Sequence, residues 1–214
     1  MSNLWFTSDL HFGHARILEY CKGRAALWST VEEMNLGLIE RWNAVVAPED
    51  HVIILGDLAM GKRAETVPLL KRCHGSKDLV PGNHDNCWDK GRDGSGTTKS
   101  RLMTHCLNYR EWGGLLGIMQ PPKWVTLSPS RCVQVSHLPP IECGDHKAGE
   151  AVYEHEARFV EHRPPYPEGW MLCGHVHEAW RTHGRVVNVG VDVWNYQPVA
   201  ASTIVELIKR GEDA

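Results

Sequence analysis

The chain alternates short apolar runs with amphipathic stretches and polar breaks, and the period of that alternation predicts its elements. Residues 4–8 are a compact run ending in Asp9, the pattern of a buried strand. From Thr30 to Val46 the apolar residues Val31, Met34, Leu38, Ile39 and Trp42 recur at helical spacing, and Thr30 with Glu33 spells a capping box, so a helix is expected there. His51 to Leu55 reads as a second strand running into Gly56 and Asp57, and Asp78 to Val80 as a third, stopped by Pro81 and Gly82. Ala64 to Cys73 is expected to be helical, with Pro68 as the interruption. Residues 123–127 and 131–136 read as two strands of a hairpin around Ser128, Pro129 and Ser130. A helix is predicted from Ala148 to His162. Trp170 to Cys173, Val186 to Val189 and Ser202 to Leu207 read as three further strands. Residues 86–101 are rich in Gly and Ser and carry basic side chains, which predicts a mobile loop.

Strand–helix alternation before residue 120 and strand dominance after it predict an α/β protein. The expected architecture is a four-layer α/β/β/α sandwich, two mixed sheets flanked by helices, in one domain over 1–214.

Composition narrows the function classes. With 214 residues the chain can bury a sizeable core, and 42% hydrophobic with 23% charged residues is an ordinary globular balance. A formal net charge of −3 supplies no global positive field for nucleic acid or anionic lipid. The seven cysteines are scattered and never spaced C-x-x-C, so reduced thiols are expected rather than disulfides or a thiolate zinc site. The opening MSNLWFTSDLHFGH lacks the charged-then-apolar order of a signal peptide, and no stretch approaches the length of a membrane span; a cytoplasmic protein is expected.

Histidine is the outlier, with thirteen copies. Asp9 and His11 follow the first strand, Asp57 the second, Asn83, His84 and Asp85 the third, His137 the fifth, and His175 and His177 the sixth. Residues just past the carboxyl ends of strands in α/β sheets meet in one crevice. Carboxylate, imidazole and amide oxygen without thiolate suit hard-to-borderline divalent cations, and Asp9 with Asp57 would offset only part of the charge of two such ions.

DLH at 9–11, GD at 56–57, GNHD at 82–85, His137 after a strand and GHVH at 174–177 resemble, in order, the five motifs of the calcineurin-like metallophosphoesterases. TSDLHFGHARI and the late GVDVWNYQPV further resemble a small bacterial and phage branch of that family. The resemblance implies one ion on Asp9, His11 and His177, a second on Asn83, His137 and His175, and Asp57 bridging them. The ions would be divalent, manganese first, with iron, zinc or nickel as alternatives, about 3.5–4 Å apart. It implies that His84 faces the substrate as the catalytic residue and that Asp85 orients its neighbours. The implied activity is hydrolysis of small phosphodiesters, with 2′,3′-cyclic nucleotides the favoured candidates, by attack of a metal-held hydroxide. A nuclease or phosphomonoesterase of the same fold is the alternative, and a silent protein-binding scaffold a weaker one. The serine/threonine phosphatases of the superfamily extend G-D with Asp-Arg-Gly, whereas this chain reads GDLAMGK. The expected partner is a small phosphate ester, a nucleotide among the candidates, with no membrane and no obligate protein partner.

Other residues carry two readings. His14 either touches substrate phosphate or caps the first helix. Trp194 and Tyr196 either stack a base or pack the sheet, with packing favoured. The basic residues of 86–101 are solvated or form a lid. His51, His74, His105, His146, His155, His162 and His183 have no motif support and are expected to be structural or on the surface.

Overall fold

A computed structural model describes residues 2–89, 98–144 and 159–212. The first sheet holds β1 (Leu4–Thr7), β2 (His51–Ile54), β3 (Ser76–Leu79), β4 (Gly117–Ile118) and β10 (Val199–Ala200) in the order β10-β1-β2-β3-β4. β1 to β4 run parallel, and β10 joins β1 antiparallel. The second sheet holds β5 (Lys123–Ser128), β6 (Arg131–Val135), β7 (Met171–Cys173), β8 (Thr182–His183) and β9 (Val186–Asn188) in the order β5-β6-β7-β9-β8. Its β6, β7 and β9 are parallel, and β5 and β8 are antiparallel to their neighbours. Both sheets are therefore mixed, as expected.

Strand alternation divides the apolar residues between two cores. Ile53 and Leu55 join Phe6 and Val80 against Val133, Val135, Leu172, Val187 and Val189 of the second sheet. Val52 and Ile54 point the other way, onto a helical layer. That layer is led by a helix, Val31–Asn43, which buries Met34, Leu38, Ile39 and Trp42. Its capping box forms: Glu33 N donates to Thr30 Oγ1 at 3.2 Å, and the Glu33 carboxylate accepts from Thr30 N. The outer face of the second sheet packs Met171, Cys173 and Val186 against Cys143 and Trp180. All seven cysteines are free thiols. No described helix is long and apolar enough to cross a membrane.

Several expectations need correction. The stretch Ser202–Leu207 is not a strand; it lies in a helix, Ala201–Glu212. Ile204 and Ile208, four apart, are both fully buried in the inter-sheet core, so the burial follows the helical period. The helix expected over Ala64–Cys73 is α-helical only at Arg63–Thr66, then tightens to a 3-10 segment over Val67–Arg72, with Pro68 near its start where a missing N–H costs least. Lys99 to Arg101 do not belong to a loop: Thr98 caps a helix, Lys99–Gly113, that the pattern did not predict. Only Tyr109 and Gly113 of that helix are buried, so it shows little apolar period. The middle of the expected 86–101 loop and most of the expected Ala148–His162 helix lie outside the described residues; Val160–His162 is a 3-10 turn.

Candidate metal centre

The carboxyl ends of β1, β2, β3, β6 and β7 open toward one edge of the sandwich, and the turns leaving them carry the histidine and carboxylate cluster. The backbone there is unusual. Asp9 (φ 59°), His11 (φ 51°), Asp57 (φ 52°), His175 (φ 73°) and His177 (φ 44°) are all left-handed. Each such residue costs on the order of 1 kcal/mol or more, a strain found where side chains must be aimed. Glycine makes the close approach possible. A Cβ on Gly56 would lie 2.6 Å from the Gly82 backbone and from His137 Nδ1, and one on Gly174 would lie 2.6 Å from Asp9 Oδ2.

These turns bring the expected ligands together. His11 Nε2 sits 3.8 Å from Asp9 Oδ1 and 3.5 Å from Asp57 Oδ2. Asp57 Oδ2 is also 3.3 Å from His137 Nε2, so this one oxygen lies between the two imidazoles. Asn83 Oδ1 is 2.9 Å from His137 Nε2 and 3.2 Å from His175 Nδ1. The ligand atoms of Asp9, His11 and His177 lie within 4.8 Å of one another, as do those of Asp9, Asp57 and His137. His137 Nδ1 is turned to the Leu55 carbonyl at 2.7 Å, which aims its Nε2 into the cluster.

Two buried atoms at the centre, Asp9 Oδ1 and His11 Nε2, have no hydrogen-bond partner. Leaving such a group unsatisfied costs about 1–3 kcal/mol, and a divalent cation would satisfy both at once. Protonation tells the same story. Burial alone would raise Asp57, but His137 and His84 beside it hold its carboxyl well below the usual range. Burial would lower His137, yet the charge and hydrogen bond of Asp57 carry it up to about 9. His177 is likewise raised, against the pull of burial, by its contact with Asp192. The residues fit a divalent metal.

The flanking residues divide by role. Asp85 is buried and ties two turns together: its Oδ2 accepts from Asp57 N (2.8 Å) and Gly82 N (2.9 Å), its Oδ1 from Leu58 N (3.2 Å). Burial and then the Asp57 charge push its carboxyl up to about 7. His84 donates its main-chain N–H to Asp57 Oδ1 at 2.9 Å, and its ring stands 37% exposed with Nε2 3.9 Å from Asp57 Oδ2. His14 does not cap the first short helix, Ile17–Tyr20, whose N-cap position is Arg16. Its ring stands 5.2 Å from that of His11 and 6.5 Å from that of His84. Partial burial lowers it to about 4.

Tyr196 is buried against Trp28, and Trp194 donates to the Asn188 carbonyl at 2.7 Å, so both pack the fold. His51 and His74 bond to Ser76 and the Val46 carbonyl, away from the cluster, while His146 and His155 lie outside the described residues. Sequence reasoning missed Asp192, whose Oδ2 is 2.9 Å from His177 Nδ1, and Arg24 behind it. The GVDVW segment was the only signal for the first, and nothing local marks the second.

Oxygen and nitrogen donors gathered at the carboxyl edge of such a sandwich form a candidate divalent-metal site. The signature of the calcineurin-like phosphoesterases matches residues 2–179, and the chain belongs to that family. It is 35% identical over 202 residues to the gene 66 protein of Mycobacterium phage D29, covering 91% of this chain and 90% of that one. An uncharacterized protein of Methanocaldococcus jannaschii is 28% identical over 221 residues, covering 99% and 94%. Among solved structures, a protein of unknown function from Aquifex aeolicus shares the fold with a TM-score of 0.62 at 20% identity, covering 97% of this chain and all of that one.

Proposed function

We propose that the protein hydrolyses a small phosphodiester with two divalent cations, manganese first among them. One would be held by Asp9, His11 and His177, the other by Asn83, His137 and His175, with Asp57 between. The observation that carries this reading is the position of Asp57 Oδ2, 3.5 Å from His11 Nε2 and 3.3 Å from His137 Nε2, beside two buried polar atoms, Asp9 Oδ1 and His11 Nε2, that have no hydrogen-bond partner. When bound, such ions supply Lewis acidity: they neutralise phosphate charge and lower the pKa of water.

The protein's own groups do the rest. Asp9 and Asp57 set the local charge. Asp85 holds the Asp57 and Gly82 turns in register through three accepted N–H bonds. The ring of His84, partly exposed and next to Asp57, would hydrogen-bond a phosphoryl oxygen or give a proton to the leaving oxygen. His14, alongside, would line the substrate's approach.

A diester of modest size is favoured by the net charge of −3, which supplies no global positive field for a polyanion. Among cyclic nucleotides the strained 2′,3′ forms are favoured over the 3′,5′ forms. The test is a metal-supplemented screen across bis-p-nitrophenyl phosphate, both cyclic nucleotide classes, linear dinucleotides and phosphomonoesters. Turnover of diesters above monoesters is expected. A folded protein inert toward all of them with every divalent metal would refute the reading.

A further inference from the structure

Arg24 is a charged side chain with no exposed surface. It lies on a short helix, Lys22–Leu27, remote in sequence from everything it binds. Its Nε donates to Asp192 Oδ1 at 2.6 Å and its Nη2 to Asp192 Oδ2 at 2.8 Å, a bidentate pair across 168 residues. Nη2 also donates to the Asp9 carbonyl at 2.6 Å, and Nη1 to the Leu10 carbonyl at 3.2 Å. On the far side Asp192 Oδ2 meets His177 Nδ1 at 2.9 Å. One guanidinium and one carboxylate thus join the turn that bears Asp9 to the imidazole of His177.

Stability does not account for this arrangement. A buried ion pair is often no better than apolar side chains of the same volume, because desolvation consumes the Coulomb attraction. An apolar replacement could fill the space, but it could not accept a hydrogen bond from His177 Nδ1. A carboxylate there makes Nδ1 the N–H donor and leaves the ring's lone pair on Nε2, which fixes both tautomer and orientation. Cys21 also lies near, its ligand atom within 4.8 Å of those of His177 and Asp192. That trio shares the His177 ring with the first centre.

We propose that Asp192 and Arg24 are positioning residues for the metal centre: Asp192 sets the ring of His177, and Arg24 locks Asp192 to the main chain at Asp9 and Leu10. The proposal rests on reading His177 and Asp9 as metal ligands. It predicts that a change at Asp192 weakens metal binding only through His177.

The experiment is a calorimetric titration of metal-stripped protein with manganese, for the wild type, Asp192→Asn, His177→Ala and the double variant. Melting curves of each metal-free protein establish folding. Asp192→Asn should weaken the ion that His177→Ala removes by about 10- to 100-fold and leave the other unchanged. In the His177→Ala background the same substitution should add nothing. An equal loss in both backgrounds would overturn the proposal, because Asp192 would then be acting through the fold at large. Unchanged affinity in Asp192→Asn, while His177→Ala loses an ion, would also overturn it and spare the ligand assignment. Unchanged affinity in His177→Ala would sink the ligand assignment itself. If Asp192→Asn does not fold, Arg24→Lys serves instead: it keeps the charge but cannot hold Asp192 and both carbonyls, and the same selective, His177-dependent weakening is expected.

Discussion

Acidic and imidazole side chains gather at both ends of the first sheet, and the two gatherings differ in how their atoms are satisfied. At the amino ends of the strands, Asp50 accepts from Asn3 N (2.7 Å), Trp5 Nε1 (2.8 Å) and Ala47 N (3.0 Å). Beside it His51 Nδ1 is 2.8 Å from Ser76 Oγ, and its Nε2 is 3.2 Å from Asp78 Oδ2. Each of these side chains has a partner within the protein, and no non-glycine residue there is left-handed. At the carboxyl ends, Asp9 Oδ1 and His11 Nε2 are buried without partners, and the turns are left-handed. Residue types alone do not separate the two clusters. Unmet hydrogen-bonding capacity does, because buried polar atoms are almost always paired unless something outside the chain completes them.

Substitutions can break that contrast. Asp57→Ala removes the oxygen between His11 and His137, and should cost roughly 10⁴-fold in kcat/KM, equivalent to about 5 kcal/mol, with loss of bound metal by elemental analysis. His84→Ala should lower kcat by about 10²- to 10⁴-fold at unchanged metal content, since its ring borders the cluster without joining it; full activity would remove its catalytic role. Metal affinity should also follow pH. His137, raised to about 9 in the metal-free protein, carries a proton at neutral pH that a cation must displace. Apparent affinity should therefore rise with pH up to about 9, by about tenfold per unit for each proton released, and fall on acidification; a flat profile would contradict the assignment.

The amino end should behave oppositely. Asp50→Ala strands three donors and should cost about 2 kcal/mol, lowering the melting temperature by roughly 4–8 °C while turnover per folded molecule is kept. His51→Ala, at a partly exposed pair, should cost less than about 1 kcal/mol and leave metal content untouched. Loss of metal in either variant would erase the distinction between the two ends.

Legibility followed the range of the interaction. The Val31–Asn43 helix was visible because its cap and its apolar stripe are both local. The cluster residues were visible because each sits in a short motif just past a strand, and Gly56, Gly82 and Gly174 punctuate those turns. The last helix was misread because Thr203, Ile204 and Val205 are β-branched residues in a short window, and only the four-residue step to Ile208 reveals the helical face. Lys99–Gly113 escaped because it covers the core with so few side chains. Arg24 was illegible for a different reason. Its oxygen partners lie 14, 15 and 168 positions away, and no local pattern distinguishes a buried arginine from a solvated one.

The left-handed turns have a bearing on behaviour without cations. Five aimed residues hold conformations that the surrounding chain must enforce, while the sheets beneath them are conventionally paired. Stripping cations should therefore loosen the rim before the floor. In hydrogen–deuterium exchange, amides at 9–11, 57–58 and 175–177 should quicken first, while those of β1, β2 and β7 stay slow. The apo protein would then be a rigid dish with a relaxed lip, and loading it would resemble tightening a drawstring more than filling a finished socket.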